Sequence, residues 1–109
     1  LIKSLGASRS PAFVFVSLGI KEIKKVMNRN EMMTALREKG VHVVGTTEEF
    51  GIGGEGIWIS GESHPSLFDY YSERWMDTFG VQPKLNDFVE ENGWYFEWYD
   101  AGTMMVWLS

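Results

Sequence analysis

The chain has no cysteine, which excludes disulfides and thiolate-held zinc or iron–sulfur centres and is what a small unstapled domain of a reducing cytoplasm shows. It has two histidines, His42 and His64, without metal-ligand spacing between them, so neither a histidine metal site nor a catalytic triad is nominated. The apolar run at 12–18 (AFVFVSL) is far shorter than the roughly 20 residues of a bilayer span. No small-residue cleavage site follows it, as a signal peptide requires. Basic residues are scarce after position 26. Residues 27–109 carry five Lys/Arg against fourteen Asp/Glu, net −9, which argues against a nucleic-acid groove or an anionic membrane as direct partner.

What is present is one good core. A chain of 109 residues, 44% hydrophobic and 15% aromatic, can bury one hydrophobic interior and not two, so a single domain is expected. Its charge is split. Residues 1–26 hold five basic side chains (Lys3, Arg9, Lys21, Lys24, Lys25) against Glu22, net +4. Two readings of that boundary stand. In one, Lys21-Glu22 is encodable as AAG GAG, a purine-rich ribosome-binding sequence, Met27 is the true start, and 1–26 is upstream leader. In the other, 12–18 is a buried strand, being short, apolar and rich in aromatic and β-branched residues.

From Met27 onward the punctuation is regular. Asn28-Arg-Asn-Glu31 has the form of a capping box, followed by Met32, Met33 and Leu36 on one helical face, with Lys39-Gly40 as the stop. Residues 41–47 and 56–60 read as antiparallel strands joined by the glycine-rich hairpin 48–55. Ser63 and Pro65 predict the start of a second helix whose core face is Phe68, Tyr71, Trp75 and Phe79, ended by Gly80. Asp69, Tyr70 and Arg74 are expected on its surface. A third helix follows Pro83, with Leu85, Phe88 and Val89 inward and Gly93 as cap. Residues 94–99 and 104–108 close the chain as a hairpin, with Gly102 expected at positive φ. The order is (β)αββααββ: an α+β fold, antiparallel sheet with helices on one face. With the leading strand included, it opens like the split βαβ of ferredoxin-like folds.

Candidate sites follow from this frame. Gly51-Ile-Gly-Gly-Glu-Gly56 matches the dinucleotide pattern G-x-G-x-x-G letter for letter, but it joins a strand to a strand where phosphate binding needs a strand-to-helix turn. A bulged hairpin that something approaches closely is the alternative. Glu48, Glu49 and Glu55 are three carboxylates near that loop. They are candidates for a divalent cation, for a general base, or for a solvated acidic turn; no metal and no cofactor is assigned. In the last hairpin, Trp94, Phe96 and Trp98 alternate with Tyr95, Glu97 and Tyr99. The first set is expected in the core. The second is expected either as an interaction face or as tyrosines on a partly exposed sheet.

Three segments, Phe68-Asp-Tyr-Tyr71, Phe79-Gly-Val-Gln-Pro-Lys-Leu85 and Trp94-Tyr-Phe-Glu-Trp-Tyr-Asp-Ala-Gly-Thr103, resemble small uncharacterised proteins of tailed bacteriophages. The resemblance covers about the last forty residues and implies an origin in a bacterial host cytoplasm; it assigns no activity. The element order is also similar to small phage enzymes that cleave S-adenosylmethionine at trimer interfaces, with no catalytic motif aligned. Two function classes are therefore expected. The first is an acidic module that binds a host or phage protein and blocks its nucleic-acid site, with Glu48, Glu49, Glu55, Tyr95, Glu97 and Tyr99 as interaction residues. The second is a small homo-oligomeric enzyme with an intersubunit pocket, in which Glu55, Glu97 and Tyr99 are the groups to test.

Overall fold

The computed structural model describes residues 25–62, 64–71 and 73–109. The expected strand at 12–18 and the Ser63 cap lie outside them. Three helices are described: α1 (Arg29–Glu38), a four-residue α2 (Thr47–Phe50) and α3 (Pro83–Glu91). Four strands, β1 (Val43–Thr46), β2 (Ile57–Ser60), β3 (Trp94–Asp100) and β4 (Thr103–Leu108), form one antiparallel sheet in the order β1-β2-β4-β3. The α+β class read from the sequence is observed.

The split βαβ expected to open with the strand at 12–18 lies outside the described residues, and β2, α3 and β3 form a different unit. β2 and β3 each pair antiparallel with β4, so they run in the same direction with β4 inserted between them and α3 as the crossover. That is a split βαβ unit, and its middle strand comes from the C-terminus of the chain. Hydrogen-bonded on both edges, β4 buries Met104, Met105 and Val106 in succession. A strand covered on both faces needs that continuous apolar character.

One face of the sheet carries α1 and α3, while Phe50 of the short α2 meets Trp58 and Tyr99 on the other. Met32 and Leu36 of α1 and Leu85 and Val89 of α3 meet Val43, Ile57, Ile59, Trp94, Phe96, Met104 and Val106 in a single hydrophobic cluster. The α1 capping box forms as its sequence predicts, with the Asn28 side chain accepting from Glu31 N and Glu31 accepting from Asn28 N. The Asn28 bond, helped by Lys25, holds the Glu31 carboxyl below its ordinary range. Met27 is tied into the same unit. Its N–H donates to Asn92 O, and its carbonyl accepts from Trp94 Nε1 at 2.7 Å. Among the described residues, no helix is long and apolar enough to cross a membrane.

The expected helix over 64–79 is not formed. Leu67 to Asp69 instead lie beside Gly80 to Gln82: Asp69 N–H donates to Gly80 O and Gln82 N–H to Leu67 O, both at 2.8 Å, and Phe68 bridges Val81. Those backbone groups are engaged with a distant segment and cannot continue i→i−4 bonding. Only Phe68 of the four aromatic residues assigned to a core face is fully buried; Tyr71 is 82% exposed. A single 3-10 turn, Met76–Thr78, leads into Phe79 and Gly80, both at positive φ. In the final turn, Gly102 is not at positive φ, contrary to expectation. A Cβ there would lie 2.9 Å from the carboxyl carbon of Glu62, the far end of an exposed side chain that can move aside.

Candidate functional site

The three loop acids separate in space and in role. Glu48 Oε1 accepts from Arg29 Nη1 at 2.7 Å, joining α2 to α1. Its carboxyl is held below the ordinary range, first by its own backbone N–H in the first turn of α2 and then by Arg29. Glu49 Oε1 accepts from Thr46 N at 2.7 Å while Thr46 Oγ1 accepts from Glu49 N, a second capping box. Two of the three therefore build the connection that the sequence reading treated as an open hairpin. Glu55, at φ 62, lies with Arg29, Trp94 and Trp107 along a different groove, of about 500 Å³. Among the described residues, no group of three or more His, Asp or Glu is placed to hold a metal ion.

The glycine pattern is explained by packing. A Cβ on Gly54 or Gly56 would fall 2.7 Å or 2.6 Å from the Trp107 ring, so the expected close approach is that of the chain's own indole. Gly51, at φ 104, is the left-handed cap of α2, the conformation for which glycine has no steric penalty.

The Tyr95, Glu97, Tyr99 set also divides. Tyr95 is 8% exposed and stands opposite Trp107, so it is not available to a partner. Glu97 is half-buried opposite Met105. Tyr99 is exposed and meets the Phe50 ring edge-on at 4.8 Å, and Phe50 in turn meets Trp58 at 4.9 Å. Trp98 packs against the core cluster, as expected for its side of the strand.

What the sequence reading missed surrounds Trp98. Tyr70, Met76, Phe79, Trp98, Tyr99 and Asp100 line a pocket of about 430 Å³, with Gly80 in its wall. The Tyr70 and Trp98 rings stand 5.0 Å apart at 85°, forming a corner, and Tyr71 meets Tyr70 at 5.0 Å and 83°. The wall is pinned from several sides. Trp98 Nε1 donates to Phe79 O at 2.5 Å, Gly80 N–H donates to Trp75 O, and the Thr78 hydroxyl donates to Val81 O. A Cβ on Gly80 would lie 2.5 Å from Asp69 O, so the two strands of chain are in direct contact.

Phe79 is held at φ 54 with 38% of its surface exposed. Tyr70, Tyr71, Met76 and Tyr99 are exposed as well. The result is an aromatic surface on a fixed backbone, with the Asp100 carboxylate at its edge; Asp100 Oδ1 accepts from Gly102 N at 3.0 Å. The available signal was Phe-Gly at 79–80, a turn signature that the helical spacing of aromatics overrode. Comparison of the chain with protein families, curated proteins and solved structures gave no match.

Proposed function

We propose that the protein is a small acidic protein-binding module whose contact surface is the aromatic pocket around Trp98 and Phe79. The supporting observation is Phe79 itself. A β-carbon at positive φ costs about 1–2 kcal/mol, and Phe79 keeps 38% of its surface exposed, so part of what a phenyl group gains by burial is forgone. Conformations of this kind gather at functional sites because the surrounding structure must hold them in place.

Large aromatic side chains with few rotors are what interfaces favour, since they offer contact area at low entropic cost. The surplus of carboxylates over residues 27–109 sets the sign of the partner, which is basic, and brings it in by long-range attraction. A module with this charge blocks a nucleic-acid-binding protein by offering carboxylates where phosphates would sit, and it does not bind nucleic acid itself. From the resemblance of the C-terminal segments to phage proteins, the partner is a host or phage protein in the bacterial cytoplasm. In the enzyme reading, Glu55 and Tyr99, which line separate pockets of one chain, would have to be brought together by a second copy.

The test is recovery of the tagged full chain from a bacterial host, side by side with a Tyr70→Ala, Tyr71→Ala double variant. The reading expects a stoichiometric partner on the wild type that the variant loses while keeping its unfolding transition. Equal recovery of that partner by both chains would contradict it.

A further inference from the structure

The pocket has a feature that an apolar contact alone does not need: a carboxylate-bearing residue, Asp100, beside its aromatic rings. We propose that it receives an arginine side chain of the partner, the guanidinium lying against Trp98 and Tyr70 and forming an ion pair with Asp100. This rests on the protein-binding reading and names the chemistry of its central contact.

Guanidinium is planar and weakly hydrated, so it lies against an aromatic face while its N–H fork addresses a carboxylate. Tyr70 and Trp98, 5.0 Å apart and perpendicular, form a corner in which such a group can lie on a ring face. The chain itself contains the pairing, since the Arg74 guanidinium carbon lies 4.2 Å over the Trp75 ring. Asp100 uses Oδ1 for the β3–β4 turn and lines the pocket with Tyr99 and Trp98. Lysine is a poorer fit, because its ammonium is a compact, strongly hydrated point charge with no planar fork. A stacked nucleobase would bring phosphates against a surface whose net charge is negative.

Nα-acetyl-arginine amide and its neutral isostere Nα-acetyl-citrulline amide are titrated into the full, isotopically labelled chain, following the Trp98 indole N–H and the backbone amides of Tyr70 and Gly80. Arginine is expected to give saturable shifts at these three positions, with citrulline about tenfold weaker, the scale of one cation–aromatic contact plus one ion pair. Asp100→Asn keeps an oxygen for Gly102 N and removes the charge; it is expected to narrow the difference between the two probes to what the cation–aromatic contact alone supplies. Tyr70→Ala, at an exposed position, is expected to lose binding of both while other amides keep their shifts.

Equal affinity for citrulline, an unaltered preference in Asp100→Asn, or no saturable shift would each overturn the arginine assignment. So would saturable binding of a mononucleotide at the same amides. None of these results touches the partner-recovery experiment with Tyr70 and Tyr71, so failure of the arginine assignment is distinguishable from failure of the protein-binding reading.

Discussion

The indole N–H of Trp98 donates to the carbonyl of Phe79 at 2.5 Å, across nineteen residues of sequence. This bond fastens the turn that carries the exposed ring of Phe79 to strand β3, and makes a wall of the pocket from a segment that has almost no regular secondary structure. Trp98→Phe keeps most of the ring and deletes the donor. It is expected to cost about 0.5–1.5 kcal/mol, the net value of an ordinary hydrogen bond, and to speed amide exchange at Asp69, Gly80 and Gln82, whose bonds form the seam beneath it. Trp98→Ala also removes packing against Phe68 and the core and is expected to cost about 3 kcal/mol, the lower end for a large aromatic. Exposed Tyr99→Ala should cost about 1 kcal/mol or less. Equal large losses from Trp98→Ala and Tyr99→Ala in chemical denaturation would contradict the assignment of the two residues to opposite sides of the strand.

The sheet, α1 and α3 were legible because each has its own local signal: the Asn28–Glu31 box, Pro83 in the first turn of α3, and alternation through 94–99. The pocket was not. Phe68, Tyr71, Trp75 and Phe79 recur at helical spacing, and spacing registers only which residues share a face. Whether the backbone groups of 67–69 bond within a helix or to 80–82 depends on a partner segment that periodicity does not see. The central place of β4 carried a readable signal in the consecutive apolar residues Met104-Met-Val106, all buried, although the run continues to Leu108, which is exposed. The roles of Glu48 and Glu49 were hidden for another reason: a capping box that runs from the end of a strand into a glycine-rich connection looks like an acidic loop until Thr46 is seen to cap it.

Gly56 tests the packing account of the glycine pattern. Its φ is not positive, so backbone strain is no obstacle to alanine there, and the obstacle is steric. The added methyl would meet Trp107 at 2.6 Å and Val106 O at 2.9 Å. Gly56→Ala is expected to destabilise by about 1–3 kcal/mol, the range for overpacking. Shortening the ring in a Gly56→Ala, Trp107→Leu double variant should give a loss smaller than the sum of the two single losses, because the sites touch. Strict additivity in a denaturant series would show that the glycine serves some other purpose.

Acid sensitivity should trace in part to Glu48. Its carboxyl is held below the ordinary 4.5, first by its own backbone N–H and then by Arg29. The folded chain therefore takes up this proton less readily than the unfolded chain. The contribution of Glu48 is present in full above 4.5 and is lost as pH falls through the folded-state value. Glu48→Gln is accordingly expected to lower the melting temperature at neutral pH and to leave it nearly unchanged well below pH 4. A melting-temperature difference that stayed constant across that range would contradict this. Glu48→Lys is a poor probe of any binding surface, because it sets a cation against Arg29 and perturbs α2.

Phe79→Asn separates the cost of holding the site from its use. Asparagine tolerates the left-handed conformation that Phe79 adopts at φ 54, so the strain relieved offsets the packing lost and the substitution is expected to leave stability within about 1 kcal/mol of wild type. It also removes one aromatic wall of the pocket. The deciding measurement is the quantity of partner recovered from a bacterial host by Phe79→Asn relative to wild type, at equal amounts of folded protein. If the aromatic pocket is the contact surface, recovery falls to a small fraction while the melting temperature stays close to that of wild type. Undiminished recovery by the variant would contradict the account.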